Sequence, residues 1–317
     1  MWQERQAEIL RDEIEALLAP LSDVADLYAL VKEPLTKARR GLATDTAHSR
    51  PWPLLSLMVC EAICGYYEHA LPAAAAFELL KAAAEVFDDI EDADSSESLS
   101  AKYGSAVATN VATTLLILAE KAITRLKERG IEDSVIVRIM DVVNSYYTTA
   151  CAGQHLDLSL NSEMSVSEDT YFRVTGMKSA SQIECACHIG ALLAKTKQEL
   201  VNLFTKFGHD LGVASQITND IQGVIQGSDI AKSRITLPII YALTQTDGEA
   251  HNQLERAFGK QSESKPNPIQ IRDLLFHCGA IYYATIKMEF YKQRALDILS
   301  EAERMGARVK RLKLFLE

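Results

Sequence analysis

Glycine and proline are scarce in this chain, 15 and 8 among 317 residues, and the period-two alternation of a half-buried strand is hard to find anywhere along it. The first shortage removes the punctuation that many short strands or a flexible linker need, and the second removes the strand pattern itself. Ala, Leu, Ile, Glu and Lys are abundant instead, and all of them suit helix. We therefore expect an all-α protein. No shift in composition divides the chain, so one domain spanning 1–317 is expected, large enough to bury a sizeable core. Fixed-period repeats and low-complexity segments are also missing, which argues against a solenoid.

A basic stripe is absent as well. Lys and Arg number 33 against 43 Asp and Glu, a formal net charge of -10, which disfavours nucleic acid as a partner. The N-terminus, Met1-Trp2-Gln3-Glu4-Arg5-Gln6-Ala7-Glu8, is charged and amphipathic, without the apolar core and cleavage site of a secretory signal. The most apolar stretch, residues 111–119, is too short to span a bilayer. These features lead to the expectation of a cytoplasmic protein with no transmembrane segment. Six cysteines in a chain this long fit reduced core residues better than a disulfide framework. Cys185-Ala186-Cys187-His188 looks like a metal cluster, but alternate residues leave a helix on different sides and no second cluster completes a tetrahedral set, so core packing is expected there.

Loop signals fall at 41–53, 93–104, 130–133, 227–233 and 259–268, with long helical stretches between them. One of these stretches ends in Val86-Phe87-Asp88-Asp89-Ile90-Glu91-Asp92, where Asp88 and Asp92 share a helix face. Two like charges about 4 Å apart repel by ~4 kcal/mol at an effective dielectric near 20, so a counter-charge is called for. Mg2+ suits the pair, because it takes one or two carboxylates and completes its shell with water and phosphate oxygens. A solvated acidic helix end is the competing interpretation. Two further segments carry polar faces: Gln154 and Asp157 at i and i+3, and Gln216, Asn219 and Asp220. Taken singly, an exposed face explains the first and interhelical hydrogen bonding the second.

In their order along the chain, these segments resemble the all-trans isoprenyl (polyprenyl) diphosphate synthase superfamily. Asp88-Asp89-Ile90-Glu91-Asp92 resembles its first aspartate-rich motif, Lys102-Tyr103-Gly104-Ser105-Ala106-Val107-Ala108 the segment that follows, and Gly153-Gln154 with Asp157 its GQxxD. Lys178-Ser179-Ala180 is similar to the lysine turn, residues 216–223 to the second aspartate-rich motif, and Asp229-Ile230 with Arg234-Ile235-Thr236-Leu237-Pro238 to the downstream signature. The resemblance implies an isoprenoid synthase type I (terpenoid synthase) helical bundle around a central cavity, usually a homodimer. It implies an Mg2+-dependent prenyltransferase acting on an allylic isoprenyl diphosphate. Asp88, Asp92 and Asp220 would then hold metal with Asp89 in support, and Lys178 and Arg234 would grip diphosphate oxygens. Gln216 and Asp157 would lie beside the developing cation, with Gln154 and Asn219 also at the substrate.

The departures from the family pattern cluster on one side. Isopentenyl-condensing members carry a glycine-lysine-x-x-arginine motif where this chain has His48-Ser49-Arg50-Pro51-Trp52-Pro53, and residues 94–102 contain no arginine. Lys81 stands where a histidine is expected, seven residues before Asp88. This pattern favours an acceptor other than isopentenyl diphosphate, and the chain is similar to ComQ-type enzymes, which prenylate a peptide. Chain elongation onto isopentenyl diphosphate is the first alternative. The second motif is reduced to Asn219-Asp220-Ile221-Gln222-Gly223, and Gly223 and Gly227 do not supply the serine and glutamate of a class I terpene cyclase, which ranks behind the two transferase readings. A non-catalytic partner subunit comes last. Ala83 and Ala84, one turn before the first motif, are expected to floor the hydrocarbon pocket, although close helix packing favours alanine equally. The basic run Arg308, Lys310, Arg311 and Lys313 is a further candidate to close over a diphosphate, or else an exposed amphipathic helix.

Overall fold

The computed structural model describes residues 2–37, 42, 52–92, 95–160, 166–259 and 267–316. Among these residues no strand occurs. In chain order the helices are α1 (Trp2–Leu18), α2 (Ala25–Thr36), α3 (Leu55–Cys64), α4 (Leu71–Asp92), a short α5 (Leu99–Tyr103), α6 (Ser105–Thr124), α7 (Asp133–Leu160) and α8 (Glu168–Thr175). A π-helical turn (Gly176–Ala180) leads into α9 (Ser181–Leu193), followed by α10 (Gln198–Gln226), one-turn α11 (Ser228–Ala231), α12 (Leu237–Gln245), α13 (Gly248–Phe258), α14 (Pro268–His277), α15 (Ala280–Arg304) and α16 (Lys310–Lys313).

Two helices organise the bundle. From Leu71 to Leu80 every side chain of α4 is buried, and the alanines at 73–76 let neighbours approach on all sides. α6 runs along it, and α1, α2, α3 and α9 pack around it. In the second half α10 lies between α9 and α15. One large apolar cluster joins Leu10 and Ile14 of α1 to α4, α9, Phe204 and Phe207 of α10, and Leu312 and Phe315 near the C-terminus. A second lies among α10 to α15, and a third gathers around Tyr171, Val213 and Ile240. Burial along α7 is confined to a stripe of Ile136, Ile139, Val143, Ala150 and Gly153, as a surface helix requires.

The loop at 130–133 is found as expected, whereas 93–104 and 227–233 each enclose a short helix. Ser98 starts the first of these, its hydroxyl accepting from the Ala101 N–H at 3.1 Å. Residues 41–53 and 259–268 lie mostly outside the described residues. A break that no glycine or proline announces separates α9 from α10, where Lys195 adopts φ 50°. The apolar stretch at 111–119 belongs to a longer helical run than expected. Ser105–Arg129 is by length and composition long and apolar enough to cross a membrane, and 44% of its apolar window is buried inside the protein.

Candidate active site

The acidic end of α4 emerges from the core at Phe87, after the buried Val86. Three carboxylates there meet three cations from other parts of the chain. Asp88 Oδ1 lies 3.1 Å from Lys178 Nζ in the π turn, Asp92 Oδ2 accepts from Arg234 Nη2 at 2.6 Å, and Asp89 Oδ2 is 3.6 Å from Lys37 Nζ just past α2. Burial raises the Asp89 pKa, opposed by Lys37 and reinforced by Asp88 and Glu85.

Lys178 also donates to Asp157 of α7 at 2.7 Å, so its ammonium bridges α4 and α7. Burial works to lower its pKa, but Asp157 and Asp88 outweigh that and raise it. The lysine owes its position to the π turn, a local widening that helices place often at functional sites. Two glycines allow it. A Cβ on Gly153 would come within 2.5 Å of the Lys178 backbone nitrogen, and one on Gly212 of α10 within 2.6 Å of Ala180 Cα. The turn is thus gripped between α7 and α10, and the residues after Gly153 are brought alongside Lys178. Side chains bond its carbonyls: Ser181 Oγ donates to the Met177 carbonyl at 2.6 Å and Gln182 Nε2 to the Lys178 carbonyl at 2.9 Å. Gln154 Nε2 donates to Glu91 Oε2 at 2.8 Å, adding a second tie between α7 and the acidic motif.

The second motif is built differently. Asn219 is exposed on α10, while Asp220 is buried. Both Asp220 oxygens are already engaged: Oδ1 accepts from Gln216 Nε2 at 2.8 Å, and Oδ2 from Tyr171 OH at 2.5 Å and more distantly from the Leu237 N–H at 3.5 Å. Burial pushes its pKa up to about 6, with the Tyr171 and Gln216 hydrogen bonds holding it back. Asp220, expected as a metal ligand, therefore sits in the interior as the acceptor of a neutral hydrogen-bond network. Ser179 Oγ donates to Gln216 Oε1 at 2.9 Å, so the Gln216 amide is fixed at both ends. A Cβ on Gly223 would fall 2.2 Å from Asp229 Oδ2, so the Asp229 carboxylate fills the place of a third motif side chain. The backbone of Asp229 in turn accepts from the Arg234 N–H at 2.9 Å, which tethers the arginine that reaches Asp92.

Of the remaining expected residues, Lys81 forms an i,i+4 pair with Glu85 at 3.5 Å. Ala83 is fully buried, and Ala84, on the face of Asp88 one turn earlier, keeps partial exposure. In the basic C-terminal run, Arg311 is bonded to Glu61 and Lys313 to Glu303 at 2.8 Å. Arg50 lies outside the described residues. Cys185 and Cys187 are fully buried core residues, as expected. Sequence reading passed over Tyr171, Ser179, Lys37 and Asp229. None stands at a spacing that announces its partner, although Ser179 and Asp229 lie within motif segments.

Hard-cation chemistry suits the oxygens present. Gln154 Oε1 is buried without accepting a hydrogen bond, which costs free energy, while Asp88 Oδ1 is met by the Lys178 ammonium at 3.1 Å. Asp88, Asp92 and Asp89 with Gln154 thus form an all-oxygen donor set fit for Mg2+.

A family model described as Polyprenyl synthetase matches residues 46–273. The chain is similar to the geranylgeranyl diphosphate synthase of Methanosarcina mazei, 27% identical with 85% of each chain covered. Among solved structures it resembles a geranylgeranyl pyrophosphate synthetase from Pyrococcus horikoshii, with a TM-score of 0.85 at 23% identity, covering 99% of this chain and 94% of the other. A geranylgeranyl pyrophosphate synthase from Corynebacterium glutamicum, complexed with isoprenyl diphosphate and magnesium, gives a TM-score of 0.79 at 23% identity over 98% and 97% of the two chains. These structures share the isoprenoid synthase fold that the resemblance implied, and the ComQ-type likeness has no counterpart among the three relatives. The chain belongs to the polyprenyl synthetase family and is an enzyme of the prenyltransferase class.

Proposed function

We propose that this enzyme ionises an allylic isoprenyl diphosphate and transfers the prenyl group to an acceptor. The observation that carries the reading is the Lys178 ammonium held between Asp88 and Asp157, one helical turn from the Asp92–Arg234 pair. Asp88 and Asp92 would hold Mg2+, with Asp89 supporting them. Bound there, the metal would neutralise charge on the departing diphosphate. Lys178 and Arg234 are placed to exchange carboxylate partners for diphosphate oxygens, acting as fixed charges that need little reorganisation. Gln216, immobilised by Ser179 and Asp220, would present a fixed dipole beside the developing cation, with Asp157 close by. A homodimer is part of the same proposal.

For the acceptor, the synthase relatives favour isopentenyl diphosphate, and chain elongation is the first reading. A non-isopentenyl acceptor is the second, favoured by a specific observation on the acceptor side. Trp52, in the stretch that replaces the glycine-lysine-x-x-arginine motif, packs its ring at a tilt against Phe315, with centroids 5.3 Å apart, and Lys81 is paired with Glu85. Neither offers the several open cations that a second diphosphate would need.

Product analysis separates these readings. Geranyl, farnesyl and geranylgeranyl diphosphates are each incubated with enzyme and Mg2+, with and without isopentenyl diphosphate. Mg2+-dependent diphosphate release supports the site, and an elongated product supports the first acceptor reading. Release that is indifferent to isopentenyl diphosphate supports the second. No release from any of the three, from folded protein, rejects the proposal.

A further inference from the structure

A second cluster of ligand-type side chains lies away from the acidic motif, where α3 ends and the chain turns toward α4. Cys60 and Cys64 are one turn apart on α3 and share a face. Gly65, at φ 87°, ends the helix, and a 3-10 turn at Glu68–Ala70 brings His69 back over it. Cys60 Sγ lies 3.8 Å from Cys64 Sγ and 3.4 Å from His69 Nε2, and all three atoms fall within 4.8 Å of one another.

Those separations are informative because tetrahedral zinc fixes the edges of its own ligand set. With Zn–S near 2.3 Å and Zn–N near 2.0–2.1 Å, the S···S edge is about 3.8 Å and the S···N edge about 3.6 Å. The corresponding separations here are 3.8 and 3.4 Å. Thiol hydrogen bonds give similar pairwise separations, so it is the gathering of all three ligand atoms within 4.8 Å of one another that marks the site. His69 Nε2 also lies 3.0 Å from the Leu193 carbonyl, and Nδ1 is buried with no hydrogen-bond partner. In the metal-free protein Nε2 therefore carries the ring proton and donates it to that carbonyl.

We propose that Cys60, Cys64 and His69 form a site for a single Zn2+ ion. Binding removes one proton from each thiol and releases both to solvent. The imidazole stays neutral: its proton leaves Nε2, where it is donated to the Leu193 carbonyl, for Nδ1, and the freed Nε2 lone pair goes to the metal. Three protein ligands leave the fourth position to water. Burial and the neighbouring Cys64 push the Cys60 thiol pKa up, so metal uptake should weaken as pH falls. Residues 71 to 88 of α4 separate this cluster from Asp88 by about 25 Å at 1.5 Å per residue, which assigns the ion to holding the α3–α4 turn rather than to prenyl transfer.

The test uses the full-length, reduced, metal-stripped protein titrated with Co2+ and then with Zn2+. The expected result is a thiolate-to-cobalt charge-transfer band that saturates at one equivalent and is abolished by one equivalent of Zn2+. Cys64→Ala, at a partly exposed position, should remove the band with the helical circular dichroism retained, and His69→Gln should do the same. Zinc affinity, measured against a chromophoric chelator, should fall by at least about 100-fold, the upper end of what losing an outer-shell partner costs. Asp92→Asn should leave the band unchanged. The proposal is overturned by the absence of a charge-transfer band in the wild-type protein, by its survival in folded Cys64→Ala, or by its loss in Asp92→Asn.

Discussion

The acidic end of α4 and the polar face of α10 resemble each other in sequence and differ in physics. On α4, Asp88, Asp89 and Asp92 meet the cations Lys178, Lys37 and Arg234, each supplied by a different segment. On α10, Asp220 is buried against the neutral donors Tyr171 and Gln216, and the third motif position is a glycine whose space the Asp229 carboxylate occupies. Ion pairs at a half-exposed surface exchange partners at little cost, whereas a buried carboxylate in a filled network does not. The first segment is therefore suited to binding and releasing a charged ligand, and the second to holding Gln216 still.

The largest effect should come from emptying the first segment. Asp88→Ala is expected to reduce diphosphate release by on the order of 10²–10³-fold, with helicity retained, since it removes a charge and no core volume. Steady-state turnover with a circular dichroism control checks both halves. Next in size is Gly153→Ala, whose methyl group would meet the π-turn backbone. Overpacking of that kind costs about 1–3 kcal/mol, and displacement of Lys178 should lower turnover as well. A lowered denaturant midpoint alongside reduced turnover is the expected signature.

Asp220→Asn probes the other segment through pH. The folded-state pKa of Asp220 is raised from 3.8 to about 6, so between those values the native state holds a proton that the unfolded chain has lost. Stability from this group is therefore present at low pH and falls as pH rises through that window, levelling off above it. Asp220→Asn should remove that slope and gain on wild type above pH 6 by on the order of 2 kcal/mol. Denaturant titrations of both proteins at several pH values, with chelator present, give the difference directly. The smallest effect is expected from Ala84→Phe, which should shift preference from farnesyl toward geranyl diphosphate while Mg2+ binding stays unchanged. Equal preference in the folded variant would remove Ala84 from the pocket wall.

These contrasts also show where sequence reading succeeded. The α4 motif was legible because like charges at i and i+4 on an otherwise apolar, Ala-rich helix demand a counter-charge, and Lys178 and Arg234 were identified by resemblance. The π turn was not legible, because Gly176-Met177-Lys178-Ser179-Ala180 has helix-compatible residues and the widening depends on Gly153 and Gly212, both distant in sequence. Asp220 reads as one more acidic side chain until Tyr171 is placed against it across 49 positions. Ala83 and Ala84 are chemically identical, and only the 100° between them along the helix decides that one enters the core. The α5 start at Ser98 was available as an N-cap signal and was absorbed into a loop instead.

The division between the two segments is tested most directly by calorimetric titration of Mg2+ with an unreactive allylic diphosphate analogue into Asp88→Asn and Asp220→Asn proteins. The expected result is loss of Mg2+-dependent analogue binding in Asp88→Asn and retention within a few-fold of wild type in Asp220→Asn. Retained binding in Asp88→Asn together with its loss in folded Asp220→Asn would contradict the assignment of the metal to α4.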